Sequence, residues 1–208
     1  MVKITYLGHA SFLIENAQLS LIIDPYRDRS VPGMKMPRLS ANYVFSSHNH
    51  YDHDAIDLVK IIDPEVALRW SYFMVPHDKC NGEQRGLNRI HAFYLDGLKI
   101  VHLGDTGCMP KDIVLKELDN TDVLLGPING YYTISAEEFK EICDVIKPKL
   151  IIPMHYHNAK DNSGYPDGGQ IEIFKKLYPE YYEINETSIV LDEKTLDKKV
   201  IIFNNKLQ

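Results

Sequence analysis

Cysteine, tryptophan, long apolar runs and net positive charge are all scarce or missing in this chain of 208 residues. There are three cysteines, Cys80, Cys108 and Cys143, and no two form a C-x-x-C pair. That excludes a disulfide framework and a thiolate zinc site, and the thiols read as ordinary reduced side chains. No stretch approaches the roughly 20 apolar residues a membrane helix needs, so no membrane partner is expected. The opening MVKITYLGHASFLIE lacks a basic stretch running into an apolar one. No signal peptide is expected, and the chain reads as cytoplasmic. Lys and Arg number 23 against 29 Asp and Glu, a net charge of −6 with the nine His neutral. A general nucleic-acid binder carries a basic face, so nucleic acid is not an expected partner.

What is present is the composition of a folded globular protein, 44% hydrophobic and 25% charged. At about 150 residues per domain, one domain over residues 1–208 is expected, long enough to bury a core without a staple. Short β-branched runs at 2–7, 11–15, 19–23, 43–46 and 65–68 read as strands, as do 89–95 and 98–103, joined by an Asp96-Gly97 hairpin turn. Helical spacing is expected over 54–61 and 111–118. The strongest helix is 135–146, with Ser135 and Glu138 as a capping box and Phe139, Ile142, Cys143 and Ile146 on one face. Strands at 122–125 and 150–152, a helix at 168–177, and strands at 188–191 and 200–203 complete the pattern. Sheets covered by helices in one α/β (α+β) layered domain fit this order.

The chemistry concentrates in Ser47-His48-Asn49-His50-Tyr51-Asp52-His53-Asp54. Imidazole and carboxylate are ligands of zinc and related divalent ions. In an extended or turning loop, His48 and His50 project to one side and can share one ion. Asp52 and His53, past the bend, can share a second, or Asp52 can act as a base. A histidine-rich surface loop is the plainer alternative. Four residues cannot complete two sites, so further ligands must come from other strand ends. Candidates are His77-Asp78 after Val75-Pro76, Asp105 between Gly104 and Gly107, and His155 after Pro153-Met154.

His48-Asn49-His50-Tyr51-Asp52-His53 resembles the H-x-H-x-D-H motif of the metallo-β-lactamase fold superfamily. In particular the chain resembles the branch of small stand-alone hydrolases that includes the ascorbate-6-phosphate lactonase type. The supporting segments follow in order: Gly8-His9-Ala10, Ile23-Asp24-Pro25, Pro76-His77-Asp78, Leu103-Gly104-Asp105-Thr106-Gly107, Pro127-Ile128-Asn129-Gly130 and Pro153-Met154-His155-Tyr156. The resemblance implies a four-layer αβ/βα sandwich with its site at the sheet edges. It implies that His48, His50 and His77 hold a first metal, that Asp52, His53 and His155 hold a second, and that Asp105 bridges them. Zinc is the expected metal, with manganese or iron as alternatives. His91 and His102 compete with His77. His9 and Asp24 are expected beside the metals or facing substrate, and His9 joins Asp52 as a catalytic candidate.

The implied activity is hydrolysis of a small ester, lactone or phosphoester by a metal-bridged hydroxide. The antibiotic-hydrolysing members lack the bridging Asp, so Asp105 argues against a β-lactamase. A nuclease or phosphodiesterase on the same fold, or a non-catalytic metal-binding protein, are the alternatives. Asn129, Tyr131 and His157 are expected to contact substrate, with Tyr132 and the loop 156–169 as further walls. Arg27, Arg29, Lys35 and Arg38 either steer an anionic small-molecule substrate or form a solvated basic loop. Self-association into a homo-oligomer is compatible with the sequence.

Overall fold

A computed structural model describes residues 1–159, 162–168 and 171–207. The chain opens with strands β1 (Val2–Gly8), β2 (Ser11–Glu15), β3 (Ser20–Ile23), β4 (Ser40–Ala41) and β5 (Tyr43–Phe45). Next come β6 (Lys60–Ile61), β7 (Arg69–Pro76), β8 (Leu87–Leu95) and β9 (Leu98–His102). Helix α1 (Asp112–Glu117), β10 (Val123–Pro127), α2 (Ala136–Ile146), β11 (Leu150–Met154) and α3 (Ile171–Leu177) follow. The last described elements are β12 (Tyr182–Ile184), β13 (Ser188–Leu191), α4 (Glu193–Leu196) and β14 (Ile201–Phe203).

Two five-stranded sheets form, in the orders β13-β1-β2-β3-β5 and β11-β10-β9-β8-β7. Strand alternation sends side chains to both faces of each sheet. Ile4, Phe12, Ile14 and Leu21 from the first sheet meet Phe93, Ile100, Val123, Leu125 and Ile152 from the second in one apolar layer. The other face of the second sheet, with Ile90, Val101, Leu124 and Ile151, is covered by Leu115 of α1, Phe139 and Ile142 of α2 and Phe174 of α3. The other face of the first sheet, with Leu7 and Ile22, is covered by Tyr26, Val31, Met34, Met36 and Val59. The result is a layered sandwich of the kind the sequence resemblance implies. Its outermost layer on the first sheet is the segment 25–59, with a 3-10 turn at Ile56–Leu58. Among the described residues no helix is long and apolar enough to cross a membrane.

Strand direction positions the site. β2 is antiparallel to both β1 and β3, and β5 is parallel to β3. Likewise β8 is antiparallel to β7 and β9, while β10 and β11 run parallel to β9. So β1, β3 and β5 end on one edge of the first sheet and β7, β9, β10 and β11 on one edge of the second, and the candidate site residues lie just past these C-terminal ends.

Two expectations fail. Residues 54–61 form only the 3-10 turn and then β6. Val59 packs against the first sheet, but Ile56 and Ile61 are exposed, so the three spaced apolar residues do not share one buried face, and the chain extends to pair Ser40 with Lys60 and Ala41 with Ile61. The strand expected at 65–68 starts instead at Arg69. This edge strand leaves Trp70, Tyr72 and Met74 on one half-exposed side, so apolar residues at solvent positions mask the alternation. Of the helix expected over 168–177, residues 169 and 170 lie outside the described residues, and α3 spans the rest.

Helix α2 follows its sequence cues. Ser135 Oγ accepts the Glu138 N–H, and Glu138 accepts the Ser135 N–H at 2.8 Å. Phe139, Ile142, Cys143 and Ile146 are buried, and Lys147 ends the helix in the left-handed region before Pro148. Ser135→Ala is expected to lower stability by about 1 kcal/mol, read as a lower urea midpoint at unchanged slope. An unchanged midpoint would show that the cap contributes nothing.

Candidate metal centre

Three strand ends turn abruptly where the site begins. His9 after β1, Asp24 after β3 and His155 after β11 all sit at left-handed φ, between 50° and 58°. Each such residue costs on the order of 1–3 kcal/mol and persists only where its surroundings impose it. One constraint is visible between the two halves: the His155 N–H donates to the His9 carbonyl at 3.0 Å. The loop after β5 curls on itself, with the His53 and Asp54 N–H groups both donating to His50 O at 2.9 Å. The curl divides the His-rich segment into its two expected pairs.

Asp105 lies at the centre. Its Oδ2 is 3.2 Å from Nε2 of both His53 and His155, 3.5 Å from that of His77 and 4.0 Å from that of His48. The flanking glycines make this approach sterically feasible. A Cβ at Gly104 would fall within 2.6 Å of Ser47, and one at Gly107 within 2.2 Å of the His77-Asp78 backbone. Asn88, fully buried, fixes the turn: it accepts the Asp105 N–H at 2.8 Å and donates to Leu103 O at 2.8 Å.

Ligand-type atoms within 4.8 Å of one another form three groups: His48, His50 and His77; His9, Asp52, His53 and His155; and His48, His53 and Asp105. The groups share members, so they make one continuous cluster. His48 Nε2, His155 Nε2 and Asp105 Oδ1 are buried without a hydrogen-bond partner. Unpartnered buried polar atoms are rare, and their convergence here is what a metal centre requires. Nitrogen and carboxylate donors suit zinc, manganese or iron.

Asp24 holds the cluster from behind. It accepts the Ser47 N–H at 2.6 Å and the Ser47 hydroxyl at 2.7 Å, and lies 2.9 Å from His53 Nδ1. A proton on that Nδ1 leaves His53 Nε2 facing Asp105 as a donor atom. Burial alone would raise the Asp24 carboxyl, but His53, then His102 and His48, hold it down to about 2. Burial likewise opposes charge on Asp105, and His155 and His53 keep its pKa well below the usual range. Burial and the neighbouring His155 lower His9 to about 4, so its ring is neutral near pH 7.

The competing histidines have other partners. His102 Nε2 is 2.8 Å from Ala10 O, and its Nδ1 accepts the Gly104 N–H. His91 lies 3.3 Å from Ser46 O amid Phe45, Trp70, Tyr72 and Phe93. Of the three, His77 is the one facing Asp105.

A cavity of about 250 Å³ opens over the cluster, lined by His50, Asp52, His77, Arg85, Asp105, Tyr132, His155 and Tyr165. Asn129, Tyr131 and His157 are not among the residues lining this cavity. Asn129 is buried, and its Oδ1 accepts the Tyr131 and Tyr132 N–H groups. It shapes the turn that brings Tyr132, not the exposed Tyr131, to the cavity. His157 turns to Asn162 at 3.2 Å. None of the four basic residues before the motif lines this cavity. Arg27 pairs with Asp57 and Arg38 with Asp28, and the nearby groove of about 850 Å³ holds no member of the cluster. Arg85 and Asn88 carry no signal in the sequence. Tyr165, whose hydroxyl reaches Asp52 Oδ2 at 3.0 Å and Ser30 O at 2.9 Å, was foreshadowed only by its loop.

Comparison with known proteins agrees with this architecture. Residues 3–155 match the family described as Beta-lactamase superfamily domain. A UPF0173 metal-dependent hydrolase of Desulforamulus reducens is 30% identical over 193 residues, covering 75% of this chain and 85% of that protein. A UPF0173 protein of Pyrococcus abyssi is 31% identical over 201 residues, covering 84% and 90%. A solved structure of a metallo-β-lactamase superfamily protein from Thermotoga maritima superposes with a TM-score of 0.77 at 30% identity, covering 98% of both chains. By matched length, identity and shared fold, the chain belongs to the metallo-β-lactamase superfamily, among its metal-dependent hydrolases.

Proposed function

We propose that the cluster is a two-metal centre for hydrolysis of a small ester, lactone or phosphoester. The observation that carries this reading is Asp105, whose single oxygen faces imidazoles from both halves of the cluster. His48, His50 and His77 would hold one ion, and Asp52, His53 and His155 the other, with Asp105 shared. Zinc fits the donor set, and manganese and iron remain alternatives. Such ions, when bound, make water nucleophilic near neutral pH and stabilise negative charge developing on the attacked group.

The chain supplies orientation and proton handling. Asp24 fixes the tautomer of His53, an outer contact of the kind that tunes ligand basicity. Asp52 stays ionised: burial opposes its charge, but His53 and His9 draw its pKa below the usual carboxylate range. His9 Nε2 lies 3.4 Å from Asp52 Oδ2, so a neutral ring is within reach of a proton moving along that carboxylate. Tyr132 and Tyr165 narrow the cavity and limit bulk water. A space of about 250 Å³ fits a small molecule better than a nucleic-acid strand.

Asp105→Ala is expected to lose metal and turnover together. Elemental analysis should fall from about two equivalents toward none. Hydrolysis of a para-nitrophenyl ester or of bis-para-nitrophenyl phosphate should drop on the order of 100-fold. Full metal content with wild-type turnover would overturn the reading. Asp24→Ala leaves every proposed ligand in place. It should still weaken metal affinity about 10–100-fold in competition with a chromophoric chelator. Unchanged affinity would remove Asp24 from the centre.

A further inference from the structure

The segment after His77 is built around one carboxylate. Asp78, buried, accepts the backbone N–H groups of Cys80 at 2.7 Å, Gly82 at 2.8 Å, Gln84 at 2.9 Å and Arg85 at 2.8 Å. The ring closes where the His77 N–H donates to Gly86 O at 3.0 Å. The main chain of Arg85 is thereby tied to the same short loop as His77.

Its side chain is differently circumstanced from those of Arg27 and Arg38. Arg27 and Arg38 each grip a carboxylate with both guanidinium nitrogens. Adjacent Lys79 is paired with Glu138 at 2.6 Å. Among the described residues Arg85 has no carboxylate partner. Its guanidinium lies 5.2 Å from the Tyr132 ring centre and 5.8 Å from that of Tyr131, and Nη1 makes one long bond, 3.4 Å, to Tyr131 O. These cation–π contacts keep the guanidinium near the two rings while leaving most of its N–H donors unused. Arg85 and Tyr132 line the cavity over the cluster and also an adjoining one of about 250 Å³ that runs past Asp78, Gln84, Gly107 and Thr133. Arg85 and Tyr132 are thus the residues common to the two linings. Arg85 is the one Arg or Lys lining the cluster cavity among the described residues.

From this geometry we infer that Arg85 anchors an oxyanion of the substrate, a carboxylate or phosphate carried at a distance from the bond that is cut. A planar guanidinium with unused donors binds such a group bidentately, where a lysine would act as a point charge. The inference rests on the hydrolase reading for what the anchored molecule is, not for the anion site itself. It also moves substrate charge recognition from the basic loop before the motif to a residue beside the cluster.

The test uses the metal-loaded protein. Calorimetry compares succinate, glutarate and adipate with the monoacids of equal carbon number, for wild type, Arg85→Gln and Arg85→Lys. A carboxylate bound at the metals is common to both members of a pair, so the affinity ratio isolates the second carboxylate. For the diacid of fitting length, wild type should favour the diacid roughly ten- to hundredfold. Arg85→Gln should abolish the preference and Arg85→Lys retain part of it. If Arg85→Gln fails to fold or to load metal, the reduced ratio in Arg85→Lys decides. A ratio near one for every diacid in wild type, or a preference that survives substitution, overturns the inference. Failure of the hydrolase reading looks different: no ester, lactone or phosphoester is turned over while the diacid preference persists.

Discussion

A carboxylate taken out of water needs compensation, and Asp105 is almost completely buried. Removing such a charge from water costs several kcal/mol unless partners replace the lost hydration. The replacements are four imidazoles delivered by three separate segments, His48 and His53 from the loop after β5, His77 and His155 from two others. Much of the surrounding construction follows from that need. Gly104 and Gly107 have no Cβ because the Asp105 turn is pressed between the Ser47 loop and the His77-Asp78 backbone. Asn88 is committed to the same turn through two hydrogen bonds. Asp24 is the counterpart on the far side of His53, a second buried carboxylate sharing its imidazole. Burial opposes charge on that ring, but Asp105, Asp52 and Asp24 together draw its pKa well above the usual value.

The sequence carried the cluster further than it carried the walls around it. His48, His50, Asp52 and His53 were legible because they are neighbours in the chain, and four ligand types in six residues leave few ordinary explanations. Asp105 and His155 were legible as polar residues ending apolar strands. His77 was harder, since His91 and His102 are also buried. What separates them is the hydrogen-bond partner of each ring, a tertiary property. The same limit hid Arg85 and Asn88: one lies on a loop organised by a single carboxylate and the other in a strand otherwise occupied with the core. Among the elements, α2 was readable because its cap and its apolar face lie within one helix. The turn at residues 54–61 was not, because its spacing matched a helix while only Val59 of its three spaced apolar residues is buried.

Substrate recognition, in this picture, sits close to the chemistry. The broad groove along residues 29–39 is lined largely by Met34, Met36, Val31, Leu39 and prolines, and lies apart from the cluster. The smaller cavity is lined by Tyr132 and Tyr165 and by an arginine that it shares with the adjoining space. Tyr165 also ties this lining to the far layer of the fold through Ser30 O. The wall facing a substrate is thus braced from both sides of the sandwich, which favours preorganisation over closure on binding.

The proposed ligands are split between the two sheets. His48, His50, Asp52 and His53 follow β5 of the first sheet, whereas His77, Asp105 and His155 follow strands of the second. Ions held by both sets would act as rivets across the sandwich. Since anything that binds only the folded state stabilises it by mass action, metal supply would govern how long the protein survives as well as how fast it works. A cell short of metal would then hold less of the folded protein, rather than a full complement of idle copies.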